Sequence, residues 1–362
     1  MAKRKFRWTF YHSATVYALL FLIAAFFGLR YLWDFAAAYE QARPYHAIDG
    51  YMAQLTPDYI CDRSSELIDS IDHHIQSEEA CRAVIAEAVS GGVTYAKKSS
   101  ECTDEKMVYI LRTGNRVIGR VELAPQGEAI MGYRAWAVSS DSYDFSYLLT
   151  DTVSTTVPAE FPVYVNGALL NESYLAETGL RYSYLEDFYE SYELPTIVSY
   201  AAGPCLGDIS LSVTDTAGNP VTIDQDTDLN VYLDNCTEEE VAELDAFMYD
   251  FIRRYVRFSN SSSDVAKTNY YYLLQDIVAD SPLAKRCKEA LVGMAYGVPQ
   301  NYKIKSTQIN WCTNIGNNRY LCDVTYVVDI SVRREWVENI FNIKIIVVQD
   351  ADDLKAETLR NY

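Results

Sequence analysis

The sequence predicts an α+β protein with an N-terminal transmembrane helix, followed by two domains in which helices precede an antiparallel sheet and which flank a small β-rich domain. Three observations predict it. An uncharged run of 22 residues stands near the N-terminus, two later stretches switch from helical to alternating hydrophobic period, and Gly-Asn pairs punctuate the alternating stretches.

The run from Trp8 to Leu29 carries no formal charge. As a helix it measures about 33 Å, enough for the roughly 30 Å hydrocarbon core of a bilayer. Trp8, Tyr11, Tyr31 and Trp33 flank it where amphipathic rings favour the headgroup level. Lys3, Arg4, Lys5 and Arg7 precede it, while Arg30 is soon offset by Asp34 and Glu40. The positive-inside bias therefore places residues 1–7 in the cytoplasm, residues 8–33 in the membrane and the rest outside the cell. A competing reading is a cleaved secretory signal, with Ala36, Ala37 and Ala38 as the small-residue site. A typical signal has a shorter apolar region, and the pattern continues as helix through these alanines, so an uncleaved signal anchor is expected.

The chain holds 31 Lys and Arg against 50 Asp and Glu. Setting the four tail cations aside leaves 27 against 50, about 23 net negative charges on the outer part. Such a surface repels polyanions, so nucleic acid is not an expected partner. The partners that fit are the membrane itself and cell-wall material or another envelope protein.

Residues 237–350 show the clearest domain pattern. Thr237 and Glu240 form a capping box, and Val241, Leu244, Phe247, Met248, Phe251, Ile252 and Tyr255 follow at helical spacing. A second helix is expected over 264–280, and a third from Ser281-Pro282 to Gly297. Strands follow near 302–313, 319–332 and 339–349, and 351–362 reads as a tail. Residues 34–150 repeat this order: helical runs near 45–55, 64–75 and 77–89, then strands near 92–99, 106–113, 116–124 and 131–139. Cys81, Val84, Ile85 and Ala88 share the spacing of Cys287, Ala290, Leu291 and Met294, which suggests diverged copies. The intervening domain, 157–235, has strand signals around Pro162-Val-Tyr-Val-Asn-Gly167, 196–201, 208–214, 220–223 and 229–234.

All eight cysteines, at 61, 81, 102, 205, 236, 287, 312 and 322, lie beyond the membrane run without zinc-site spacing, so disulfide bonds are expected. A turn at Gly316-Asn317-Asn318 would oppose Cys312 to Cys322, and Cys205 with Cys236 brackets a β-rich segment. Shared bridges in two copies would instead join Cys81 to Cys102 and Cys287 to Cys312, which excludes the hairpin pair.

Helices followed by a curved antiparallel sheet resemble the nuclear transport factor 2-like fold, a cone-like domain, at 237–350 and at 44–145. An anchored chain with a Val-Tyr-Val-Asn-Gly strand and a terminal cone-like domain also resembles the teicoplanin-resistance-associated surface proteins of Gram-positive bacteria over 157–350. That resemblance implies an envelope-associated, non-catalytic role. Members usually carry a cytoplasmic zinc ribbon, whereas this tail has about seven residues and no cysteine.

Catalytic constellations are mostly missing from the sequence. No serine has Lys three positions later, and neither phosphate-binding glycine motif occurs. Adjacent His73 and His74 diverge by about 100° on a helix, so they do not share a metal. Asp224, Asp226 and Asp228 begin like a calcium loop, but Leu229 and Asn235 occupy the positions of its Gly and Glu. An isomerase-like pocket would need a carboxylate and a tyrosine on one face, yet alternation places Tyr326 opposite Asp323 and Asp329. Asp141 and Asp144 stand near a strand end without an evident partner. No enzyme activity, cofactor or metal site is therefore expected. The candidate contact surface is Tyr182, Tyr184, Tyr189 and Tyr192; the same spacing also fits a buried helical stripe. Sequons at Asn171, Asn235 and Asn260 would matter only in a eukaryotic host. Beyond envelope binding, the chain could serve as a structural or signalling subunit of a membrane complex, or as a small-ligand pocket protein.

Overall fold

The structure, a computed structural model, describes residues 10–224, 226–293, 301–332, 335–350 and 353–362. The basic tail and Trp8 lie outside the described residues, as does the expected helix end at Gly297. Two compact units form. One takes the chain up to Val153 with Val163–Leu170 and Ala201–Ser212; the other takes Ser154–Pro162, Asn171–Tyr200 and the chain from Val213 onward. The β-rich segment expected as a domain of its own, 157–235, is thus divided between them.

In the first unit, α1 (Phe10–Gln41) is a continuous apolar helix, long enough to cross a membrane or serve as a signal sequence. α2 (Pro44–Gln54) and α3 (Pro57–Arg63) each start with proline, whose fixed φ and missing N–H suit a first turn. Thr56 caps α3 by accepting from the Tyr59 amide at 3.2 Å. α4 (Ser65–Asp69) and α5 (Glu78–Val89) follow, where a single helix over 64–75 was expected at α4. β1 (Val93–Lys97), β2 (Met107–Thr113), β3 (Arg116–Ile130) and β4 (Tyr133–Tyr143) make an antiparallel meander. The helices cover one face of it. Ile48, Ile60, Ile68, Cys81 and Ile85 close against Tyr109, Leu111, Val121 and Leu123.

β5 (Val153–Pro158), β6 (Val163–Val165), β7 (Ala168–Leu169), β8 (Leu175–Leu180), β9 (Ile197–Ala202), β10 (Leu211–Thr214) and β11 (Pro220–Val221) are short strands. The β6–β7 hairpin belongs to the first unit, and the β8–β9 and β10–β11 pairings fall in the second. The strand expected at 229–234 is instead a 3-10 turn, Leu229–Leu233. Asp228 accepts from the Asn230 amide at 3.0 Å there, a local bond that competes with a ladder.

The second unit repeats helices before sheet. α6 (Glu238–Ser259) starts with the capping box, both bonds being present, and three glutamates occupy its positive N-terminal end. α7 (Ser263–Leu273) and α8 (Pro282–Gly293) follow. β12 (Tyr302–Gly316), β13 (Arg319–Val332), β14 (Glu335–Asp350) and β15 (Asp353–Asn361) form a meander. Asn317 and Asn318 have φ of 53° and 58°, so the β12–β13 hairpin turns with two left-handed residues.

The expected C-terminal tail is mostly β15. Ala356 pairs with Val347 and Thr358 with Ile346, which leaves Glu357 as an extra residue. That bulge shifts the buried set from Leu354 and Ala356 to Leu359 and breaks the two-residue period that marks a strand. On β13, Tyr320, Cys322, Val324, Tyr326 and Val328 face α6–α8. Leu321 faces the other way, where it packs with Ile346 beneath Tyr182, Leu185 and Phe188. The sheet is therefore covered on both faces.

Candidate functional site

The second face of that sheet carries the candidate site. Register places Trp311 opposite Asp323 and Asp323 opposite Lys344, a row across β12, β13 and β14. Tyr184, from the 3-10 turn Ser183–Phe188, stacks on Trp311 at 6.1 Å between centroids and 22° between planes. Lys344 donates from Nζ to the Tyr184 carbonyl at 2.6 Å. The same amine lies 4.7 Å from the Tyr362 ring centroid and 5.5 Å from that of Tyr184.

Asp323 organises the row from below. It is buried, accepts from Asn310 Nδ2 at 2.5 Å, and accepts from the Tyr362 hydroxyl. Burial, then the bond to Asp323, raises the Tyr362 phenol; burial lowers the Lys344 amine, with Asp323 opposing. Tyr184 and Tyr362 remain exposed and Trp311 half-buried. The result is an aromatic platform with a fixed cation. Such faces dock flat apolar surfaces, including the C–H faces of sugars, while their polar rims accept and donate.

The four tyrosines predicted as a contact surface do not act together. Tyr182 is 2% exposed, while Tyr189 and Tyr192 are half-buried, so Tyr184 alone is mainly accessible. Burial recurs at Tyr182, Leu185 and Phe188, a period of three that matches a 3-10 turn, where side chains at i and i+3 eclipse. Tyr189 instead spends its hydroxyl internally, donating to the Pro195 carbonyl at 2.7 Å. Trp311, Lys344 and Tyr362 were not legible as a group. Only the turn register and the bulged last strand bring them together.

The cysteine pairs also change. All eight cysteines are free thiols. Cys205 lies in the first unit, where Asn166 Nδ2 is 3.7 Å from its sulfur and its neighbour is Cys81, not the expected Cys236. Cys312 and Cys322 do face each other across β12 and β13, but unbonded. Cys236 joins them. Asn235 donates its amide to the Cys312 carbonyl at 3.2 Å, and Asp234 accepts from the Cys312 amide at 3.2 Å, so the chain before α6 is pinned to β12. Hydrogen bonds from Cys236 and Cys322 pull the Cys312 thiol down and push both donors up.

Asp141 gains the partners it lacked in the sequence. Its Oδ2 accepts from Tyr51 at 2.8 Å and Tyr59 at 2.7 Å, Arg63 lies 3.3 Å from Oδ1, and Tyr51 meets the Tyr143 hydroxyl at 2.5 Å. The side chain is 3% exposed. Burial foremost raises both Tyr51 and Tyr143, the latter to about 12. With its oxygens occupied from α2 and α3, the carboxyl group acts as a tie between helices and sheet. Asp144 accepts from the Ser146 amide at 2.9 Å.

The remaining candidates separate. Tyr326 faces the helices, stacked on Phe341 at 4.9 Å, while Asp329 lies 3.2 Å from Lys305. His73 meets the Gln76 carbonyl at 3.3 Å and His74 the Leu169 carbonyl at 2.9 Å. Asp224 accepts from the Asp226 amide and the Thr227 hydroxyl, closing a turn. Among the described residues no group of three His, Cys, Asp or Glu is placed to hold a metal ion. A cleft of about 710 Å³ opens beside Tyr249, Arg253, Tyr302, Lys303 and Trp336, with Lys303 Nζ 4.4 Å from the Trp336 centroid.

No family model and no curated protein matches the chain. Among solved structures, one described as an Ntf2 like protein involved in plasmid conjugation is similar at a TM-score of 0.24 and 8% identity, over 75% of each chain. Similarity at that level establishes neither the arrangement of the units nor a role.

Proposed function

We propose that the chain is a single-pass, membrane-anchored binding or scaffold protein of the cell envelope, without catalytic function. The observation that carries this reading is the exposed platform of Tyr184, Trp311 and Tyr362 around Lys344. It is a docking surface for a ring or a flat peptide segment, and it offers no reacting group beside an activated partner. The N-terminus is cytoplasmic and both units, read as cone-like domains, stand outside. Four tail cations against a single Arg30, itself 3.2 Å from Asp34, support the orientation. Ala36–Ala38 lie within continuous helix with Ala38 buried, which favours an uncleaved anchor over a signal-peptidase site.

The test is retention of the full detergent-solubilised chain on isolated wall fragments and on envelope-protein extracts, for the natural sequence and for Tyr184→Ala with Tyr362→Ala. Binding by the natural chain, weakened about tenfold by the pair, is expected; tenfold corresponds to about 1.4 kcal/mol. Equal retention of both chains, or none at low and moderate salt, sinks the reading.

A second reading, a structural or signalling subunit of a membrane complex, draws on α1 continuing beyond the apolar run into contact with the first unit. Exchange of residues 10–29 for an unrelated apolar helix would then abolish function while leaving wall binding intact. A small-ligand pocket reading rests on the cleft by Lys303 and Trp336, and would require a ligand there.

A further inference from the structure

The first unit presents an apolar hairpin tip that its own core does not use. β2 stops pairing with β3 at Leu123, and beyond it Ala124, Pro125, Gln126 and Ile130 pair only with β4. The hairpin therefore projects past the sheet. From Gly127 to Val138 its sequence is Gly-Glu-Ala-Ile-Met-Gly-Tyr-Arg-Ala-Trp-Ala-Val, with Glu128 and Arg134 as its charges on either side of an uncharged Ala129–Tyr133. Ile130 is 64% and Met131 40% exposed, at the tip. Met131 and Gly132 turn it at φ of 53° and 86°.

The direction of the projection follows from two contacts. Tyr143, at the far end of β4, meets Tyr51 of α2. Tyr133, at the tip end, packs edge-on against Phe35 and Tyr39 of α1, at 5.5 and 5.4 Å. Going from Tyr143 to Tyr133 thus moves from α2 back toward the apolar end of α1. The tip lies two or three residues further, about 7–10 Å at strand rise. The same distance along α1 from Phe35 covers roughly five to seven residues and reaches Tyr31 and the end of the apolar run.

We infer that the β3–β4 tip, Ile130-Met131-Gly132, inserts into the outer lipid leaflet beside the helix that anchors the chain. The occupant of this apolar surface is phospholipid, because the surface is continuous with the helix that crosses the same bilayer. Tyr133 sits behind the tip where amphipathic rings favour headgroups, exposed Arg134 is placed for lipid phosphates, and Trp136 further back packs on the unit's own core. Two points of membrane contact would hold the first unit at a set tilt, whereas a helix alone leaves it free to swivel. The inference rests on α1 being an uncleaved membrane helix.

The experiment uses the full chain in phospholipid vesicles with bromines placed high on the acyl chains. Two single-tryptophan chains are compared, one keeping only Trp33 and one carrying only Ile130→Trp, the other natural tryptophans of the five being replaced by Phe. Blue-shifted, bromine-quenched emission from the tryptophan added at position 130 is expected. Water-like, unquenched emission there, while Trp33 is quenched, overturns the hairpin inference and leaves the anchor standing. If neither position is quenched, the anchor reading falls and the inference with it. Amide exchange over 127–134 in vesicles gives a second readout: it should be severalfold slower in the natural chain than in Ile130→Asp with Met131→Asp. Equal rates again overturn the inference.

Discussion

Cys312 and Cys322 are directly opposed across β12 and β13, and Cys236 abuts Cys312 from the segment that leads into α6. One central sulfur thus has two possible disulfide partners. Treatment with a small-molecule disulfide should oxidise Cys312 together with either neighbour, two thiols losing two protons and two electrons to the reagent. Peptide mapping by mass spectrometry checks this; Cys312→Ser should leave Cys236 and Cys322 reduced. A fully reduced Cys312 after oxidation would show that the cluster is closed to exchange.

The capping box of α6 should give a distinct pH response. Bonds from Thr237 and, beyond them, Tyr320 hold the Glu240 carboxyl below its ordinary value, against burial. A lowered folded-state value contributes stability above the unfolded value, about 4.3, and loses it as pH falls through the folded one. The protection of the Glu240 and Val241 amides, taken relative to the intrinsic exchange rate at each pH, should therefore fall below about pH 4.3. Thr237→Ala should remove about 1 kcal/mol of helix stability at neutral pH.

The Asp141 tie predicts a large effect for a residue with no assigned role. Asp141→Ala leaves Tyr51, Tyr59 and Arg63 without their shared acceptor and should cost about 3 kcal/mol. Tyr51→Phe should cost about 1 kcal/mol. The denaturant midpoint of the first unit reports both. Because Tyr51 and Tyr143 are raised, their contribution is complete below the ordinary tyrosine value and fades only as pH climbs through the folded ones. Stability should thus be insensitive to these tyrosines between pH 7 and about 10.

The β12–β13 turn depends on two left-handed asparagines. Asn318→Val should destabilise the second unit by about 1–2 kcal/mol, since a β-branched residue resists positive φ, whereas Asn318→Gly should be nearly neutral. Thermal midpoints of the two variants distinguish the turn requirement from any loss of side-chain bonding.

Features set by neighbouring residues were legible in the sequence. The length and polarity of the uncharged run ending at Leu29 mark a helix on the scale of a bilayer, and the structure describes helix from Phe10 onward. The Thr237–Glu240 box starts α6 where three-residue spacing places it, and Asn317-Asn318 sets the hairpin that opposes Cys312 to Cys322. The order of helices before sheet in both halves follows from the change of hydrophobic period. Features that join distant residues were decided only by the tertiary structure. Asp141 meets hydroxyls 82 and 90 positions away, and Lys344 donates to a carbonyl 160 positions away. β15 was hidden by the bulge at Glu357, and residues 157–235 went to two units because their strands are too short to hold a core of their own. The physical reason is common to these cases. Periodicity and caps express forces acting within a few residues, whereas burial and partner choice depend on which surfaces the closed chain brings together.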